Sequence, residues 1–371
     1  MKNEDLSDHN GTMVRSSLGF PYFRSLIGVL AKDLPCYFFA LFGKGRDYLS
    51  IRNRNESLVA APDNSGYQCA WQWTSELHAP KVIPTLGRWL MRRALADHPI
   101  GRAAAPAEPA PDRPAITFLI GHRGLHRLPH LLATLESIAA QRCVQVECIV
   151  VEQDPVSQLG PHLPAWVRLA HTPPPTSDMP YCRSWTFNVG ALHARAPVLV
   201  LHDNDLLVPQ DYAAWILDRV AQGFDVVNPK RFIFYLDASH TQAVFDRQAG
   251  LLRNPPEGIV QNAEGGGSVA ITAQAYARIG GMDESFIGWG GEDNEFWERA
   301  QTLRVWPWAG LPLVHLWHAA QPGKRNATYH TALHYQALKQ MSPQARVARL
   351  ADVPRGQMSG PTGWESPRGD V

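Results

Sequence analysis

The chain reads as an α/β protein built on a mostly parallel central sheet flanked by helices, with a helical N-terminal extension. Three apolar runs predict this: "AITFLIG" ending at Gly121, "VECIVVEQD" ending at Asp154, and "APVLVLHDND" ending at Asp205. Segments of helical period alternate with them, and strands alternating with helices bury both faces of a parallel sheet. The length of 371 residues suggests about two domains, and 45% hydrophobic residues suffice for a sizeable core.

In order along the chain, Ser25–Gly43 is the most apolar early stretch. Lys32, Asp33 and Pro35 interrupt it, and neither half approaches the ~20 residues a bilayer crossing needs. A packed helix or two is expected there, with peripheral membrane contact as a second reading. "GRWLMRRAL" at Gly87–Leu95 has helical spacing and a basic face, but residues 1–100 hold no constellation that carries chemistry. The Ala/Pro-rich stretch 101–114 reads as a linker, 115–330 as the main domain, and 331–371 as a C-terminal helix and tail.

Within the main domain, Leu128, Leu131, Leu132, Leu135 and Ile138 share one helical face, and Tyr212 to Val220 forms a second helix. All three strand runs turn polar at their carboxyl ends, where open α/β sheets bind ligands. Five cysteines without CxxC spacing, behind no recognisable signal peptide, imply free thiols and a reducing, cytoplasmic compartment. A net charge of +1 gives no reason to expect a polyanion-binding protein, so nucleic acid is not an expected partner.

Four clusters could carry chemistry. Asp203 and Asp205 lie two residues apart at a strand end, where their oxygens can hold Mg²⁺ or Mn²⁺; the same residues could simply end the strand in an Asx turn. His315 and His318 are spaced to serve one ion, or to edge an apolar strand, and Gly323, Lys324 and Arg325 follow in a polar loop. "GWGGEDNEF" sets Trp289 and three glycines against the acidic start of a helix, whose N-terminus favours ionised carboxylates. Arg123 and Arg183 could each pair with a phosphate or simply be solvated.

Taken in order, these segments resemble the GT-A glycosyltransferases, in particular galactosyltransferases of family 7 and the chondroitin-polymerase-like members of family 2. "ITFLIGHRGLHRLPHLL" resembles the first strand and its arginine-rich end. "YCRSWTFNVGAL" resembles a second stretch, "LHDNDLLVP" the DxD segment, and "GGGSVAITAQAYARIGGMDESFIGWGGEDNEFWERA" the C-terminal signature. The resemblance covers roughly residues 115 to 325 and implies a GT-A fold with Mn²⁺ (or Mg²⁺) as cofactor.

It further implies inverting transfer of a hexose from a UDP-sugar to a saccharide or glycoconjugate. Asp205, His315 and His318 would bind the metal. Gly121, His122, Arg123, Tyr181, Arg183, Asp203 and Asn204 would line the donor site. Trp289, Gly291, Glu292 and Asn294 would face the acceptor, with Asp293 as general base. Gly121-His122 departs from the family's Pro-Phe, and Pro155 to Pro180 is longer than expected. A metal-dependent sugar-nucleotide hydrolase or nucleotidyltransferase, and a non-catalytic carbohydrate-binding protein, are the alternatives.

Overall fold

Residues 20–42 form one continuous helical rod. The computed structural model describes residues 20–43, 45–52, 54, 56–70, 77–107, 113–248, 256, 258–261, 266–319, 330–357 and 359–361. Helix α1 (Phe20–Gly28) passes through a π turn at Val29–Asp33 into α2 (Leu34–Phe42). The interruptions expected at Lys32, Asp33 and Pro35 therefore do not divide it. In the widened turn the Leu34 N–H donates to the Val29 carbonyl, and Pro35 follows directly as the second residue of α2. By length and composition Tyr22–Phe42 is now long and apolar enough to cross a membrane.

A hairpin of β1 (Ser57–Ala60) and β2 (Tyr67–Ala70) follows, then α3 (Ala79–Val82) and α4 (Pro84–Asp97). The stretch 101–107 is tied to the main domain: Arg102 pairs with Glu136, and the Trp166 indole donates to the Ala104 carbonyl.

The main domain begins with β3 (Ile116–His122), α5 (Leu128–Ala139), β4 (Val146–Glu152), β5 (Arg168–His171) and α6 (Arg183–His193). It continues with β6 (Val198–His202), β7 (Leu206–Leu207), α7 (Tyr212–Ala221), β8 (Val226–Val227), β9 (Lys230–Tyr235), α8 (Ala238–Phe245) and β10 (Gly258–Gln261). Then come β11 (Ser268–Thr272), α9 (Ala273–Arg278), α10 (Glu292–Ala300), β12 (Val305–Trp306), β13 (Leu311–His315), α11 (His330–Leu338) and α12 (Pro343–Leu350).

The central sheet has the order β12-β8-β11-β6-β3-β4-β5 and is parallel except where β11 runs against β6 and β8. The mostly parallel sheet flanked by helices is borne out. Strand alternation explains the two-sided core. Phe118 and Ile120 point to the face covered by Leu131, Leu135 and Ile138 of α5 and Ile216 of α7. Leu119 points to the opposite face, with Trp185 and Phe187 of α6 and Phe296 of α10.

A second sheet, β10-β9-β13-β7, is not legible in the sequence. The N-terminal helices cover it, with Tyr37, Leu90 and Met91 packed in one cluster with Phe232, Phe234 and Leu316. All five cysteines are free thiols.

Candidate functional site

The acidic stretch after β6 is pinned at both ends. The Asp203 N–H donates to the Gly267 carbonyl at 2.8 Å, and β7 then pairs with β13, setting Leu206 opposite His315. The Leu316 N–H donates to the Asp205 carbonyl at 2.9 Å, which closes the junction. Residues 110 positions apart in sequence meet for this reason. Asp205 Oδ2 lies 3.7 Å from His315 Nε2 and 3.5 Å from His318 Nε2, and one ligand atom from each residue falls within 4.8 Å of the others.

This trio fits a divalent metal. Asp205 Oδ1 and His315 Nδ1 are buried without a hydrogen-bond partner, and one carboxylate with two imidazoles is a usual mixed donor set. Burial pushes the Asp205 carboxyl up, but the neighbouring His315, Arg127 and His318 outweigh it and hold the group below its ordinary range. Burial, reinforced by Arg127, drives His318 down to about 4, so its ring is neutral and able to ligate. His315 stacks on Tyr235 with ring centroids 4.4 Å apart, which fixes its plane.

Two residues here were missed from the sequence. Arg127 donates to Asp205 Oδ2 at 2.5 Å and reaches Asn204 Oδ1 at 3.4 Å; His130 binds the Trp317 carbonyl at 2.8 Å beneath His318. Both lie in the quoted "GHRGLHRLPHLL", and their basic side chains were the only signal.

Arg183 opens α6 and joins the two halves of the site. Its Nε and Nη2 donate to Asp203 Oδ1 at 2.9 and 2.6 Å, while Nη1 donates to Asp293 Oδ1. The guanidinium also lies over the Phe187 ring, 4.6 Å from its centroid. Both acids thus face an arginine, and of the two Asp205 is the one with a buried, partnerless oxygen.

The loop before α10 turns on glycine. Gly288, Gly290 and Gly291 take φ of 100°, 104° and 90°, the left-handed region that an L side chain avoids. A Cβ on Gly291 would lie 2.9 Å from Tyr335 Cβ and 3.0 Å from Phe286. Trp289 is 44% exposed, and its carbonyl accepts from Thr331 Oγ1 of α11 at 2.6 Å. Nothing in the sequence pattern announced that α11 would buttress this loop.

Glu292 is buried and folds back to accept the Gly290 N–H at 3.0 Å. Burial, then the charge of Asp293, pushes it up to about 7. Asp293 is also raised, first by burial, with Arg183 pulling the other way. Burial thus works against the charge that the helix N-terminus is expected to favour on both carboxyls, most strongly at Glu292. Asn294 is exposed on the next position of α10.

The remaining residues expected at a donor site are only partly brought here. His122 is buried and, lowered to about 4 by burial, accepts from Asn204 Nδ2 through Nδ1 at 2.9 Å while Nε2–H donates to the Gly124 carbonyl. It orients Asn204. Arg123 donates to the carbonyls of Met179 and Ser177, fastening the long 155–180 segment to the end of β3. Gly121 is required because a Cβ there would strike Tyr181 Oη and Thr186 Oγ1. The Gly323-Lys324-Arg325 loop lies outside the described residues.

A family profile described as the N-terminal domain of galactosyltransferase matches residues 260–306, the span from β10 through the glycine loop to β12. That segment resembles a galactosyltransferase domain. Over those residues the match bears out the resemblance to galactosyltransferases and, with it, the expectation of a glycosyltransferase. No curated protein matches the chain. Among solved structures, the catalytic domain of Drosophila β1,4-galactosyltransferase 7 with xylobiose is 16% identical, over 60% of this chain and 79% of that one, at a TM-score of 0.36. A Pyrobaculum calidifontis mannosyltransferase with GDP-Man and Mn²⁺ is 16% identical over 72% and 80%, at 0.39. GalNAc-T7 with UDP, GalNAc and Mn²⁺ is 13% identical over 61% and 48%, at 0.44.

Proposed function

We propose that the protein is a metal-dependent, inverting glycosyltransferase that moves a hexose from a UDP-sugar to a hydroxyl of a glycan or glycoconjugate. The observation that carries this is Arg183 standing between Asp203, next to the Asp205–His315–His318 trio, and Asp293, at the mouth of the Trp289 loop. Such a site has a cationic end for a diphosphate and a carboxylate end for an alcohol.

A divalent ion such as Mn²⁺ or Mg²⁺, held by Asp205, His315 and His318, would supply Lewis-acid neutralisation of the charge gathering on the leaving diphosphate. On the protein side, Arg183 binds the diphosphate with Asp203 and Asn204 at its flank. Trp289 offers a flat apolar face to the acceptor ring, with Glu292 and Asn294 beside it to hold its hydroxyls. The acceptor oxygen attacks the anomeric carbon as the bond to the UDP oxygen breaks, and its proton passes to Asp293. Burial raises the Asp293 carboxyl and so strengthens it as a base, while Arg183 pulls the other way. Galactose- or N-acetylhexosamine-type donors and a cytoplasmic location, at the inner face of the cell membrane, belong to the same proposal.

The test is a panel of UDP-sugars with Mn²⁺, read as UDP release with and without saccharide acceptors. One donor should raise the melting temperature and yield acceptor-dependent UDP release, and Asp205→Ala should lose Mn²⁺-dependent UDP binding by calorimetry. Sugar released without acceptor would mean a hydrolase, pyrophosphate a nucleotidyltransferase. Absence of any UDP affinity would mean a carbohydrate-binding protein.

A further inference from the structure

The helical rod 20–42 has two unlike sides. One side packs on the protein: Val29, Asp33, Tyr37 and Ala40 are buried. Asp33 faces Arg54 at 3.6 Å, and Arg54 also donates to the Ser25 carbonyl. The other side is apolar and exposed. Phe23, Ile27, Leu30, Phe38 and Phe42 recur at helical spacing along it, and Phe39 beside them is 75% exposed. Phe38 and Phe42 rings touch, with centroids 4.6 Å apart, and so form one continuous ridge.

The charges on this rod are asymmetric. Arg24 and Lys32 are exposed, while its single acid, Asp33, is on the buried side. At the far end Arg93 of α4 donates to the Gly45 carbonyl, which brings α4 to the end of α2, where Arg46 is exposed. Asp47 is the exposed acid nearby, and Asp97 is paired with Arg93.

We propose that this rod docks in the plane of an anionic lipid bilayer, its aromatic ridge in the acyl boundary and its cations among the headgroups. Composition alone would equally allow a transmembrane span. The buried side argues against it, because crossing would strip Val29, Tyr37 and Ala40 from the core and carry Asp33 away from Arg54 into hydrocarbon. A helix with one apolar side outward, one side fixed to a domain and cationic flanks is suited to lie in the interface. The inference does not depend on the proposed transfer chemistry.

The experiment is sedimentation of the full chain with preformed vesicles of phosphatidylcholine alone and of equal parts phosphatidylcholine and phosphatidylglycerol. Wild type should bind the anionic vesicles and exchange onto fresh ones. The triple variant Phe38→Ser, Phe39→Ser, Phe42→Ser changes only exposed side chains and should bind at least about tenfold less. Arg24→Glu with Lys32→Glu should remove the preference for the anionic vesicles. No binding to anionic vesicles, or equal binding by the triple variant, would overturn the proposal. So would bound protein that never exchanges, the mark of a true span, or a ridge that instead mediates dimerisation, seen as a wild-type dimer that the triple variant makes monomeric. UDP binding in Mn²⁺ should be the same in all variants, so failure here is separable from failure of the enzymatic reading.

Discussion

Replacing Asp293 by asparagine separates chemistry from architecture. Asparagine keeps an oxygen where Asp293 Oδ1 accepts from Arg183, and Arg183 retains both its bonds to Asp203. The diphosphate end should therefore be unchanged. What disappears is the group able to take the acceptor proton, and a positioned base contributes about 10²–10⁴-fold, equivalent to about 3–5 kcal/mol of barrier. Stability should move little. Burial already disfavours the charge of Asp293, so its loss relieves desolvation while weakening the pairing with Arg183. The assay is single-turnover transfer with the donor found in the screen, alongside calorimetric UDP binding in Mn²⁺ and a thermal melt. Turnover should fall by the range above, with UDP affinity near wild type and the melting temperature within about 3 °C. A variant that keeps most of its turnover would refute Asp293 as the base. One that loses UDP binding would show that the Arg183 bridge, rather than proton transfer, had been disturbed.

Two further outcomes follow from the same loop. Glu292 titrates at about 7 in the folded chain against 4.5 when free, so the folded state holds its proton more tightly and stability falls as pH rises across that window. Glu292→Gln cannot ionise and should flatten the fall, read by urea unfolding at about pH 5 and about pH 8; an unchanged slope would place the titration elsewhere. Gly291→Ala must hold φ near 90° with its Cβ against Tyr335 and Phe286, a cost of about 1–3 kcal/mol. The melting temperature should drop and acceptor KM rise with donor binding intact, and a variant as stable as wild type would contradict the strained loop.

The strand runs of the central sheet and the amphipathic face of α5 were legible because burial leaves a local period of two or of 3.6 residues. The acidic, histidine and glycine-rich segments were legible too, because the types of residue they combine are unusual at that spacing. Local pattern says nothing about long-range partners. Whether Asp203 or Asp205 has the orphaned oxygen depends on β7 pairing with β13, and two-residue β7 has no period to read. Arg123 and Arg183 look alike in sequence, yet one ties down a loop and the other spans the site, since their strand and helix ends face different neighbours. The rod at 20–42 shows the same division. Its composition was evident from the start, but only packing against Arg54 and the second sheet decided which side is inside and which apolar side is left outward.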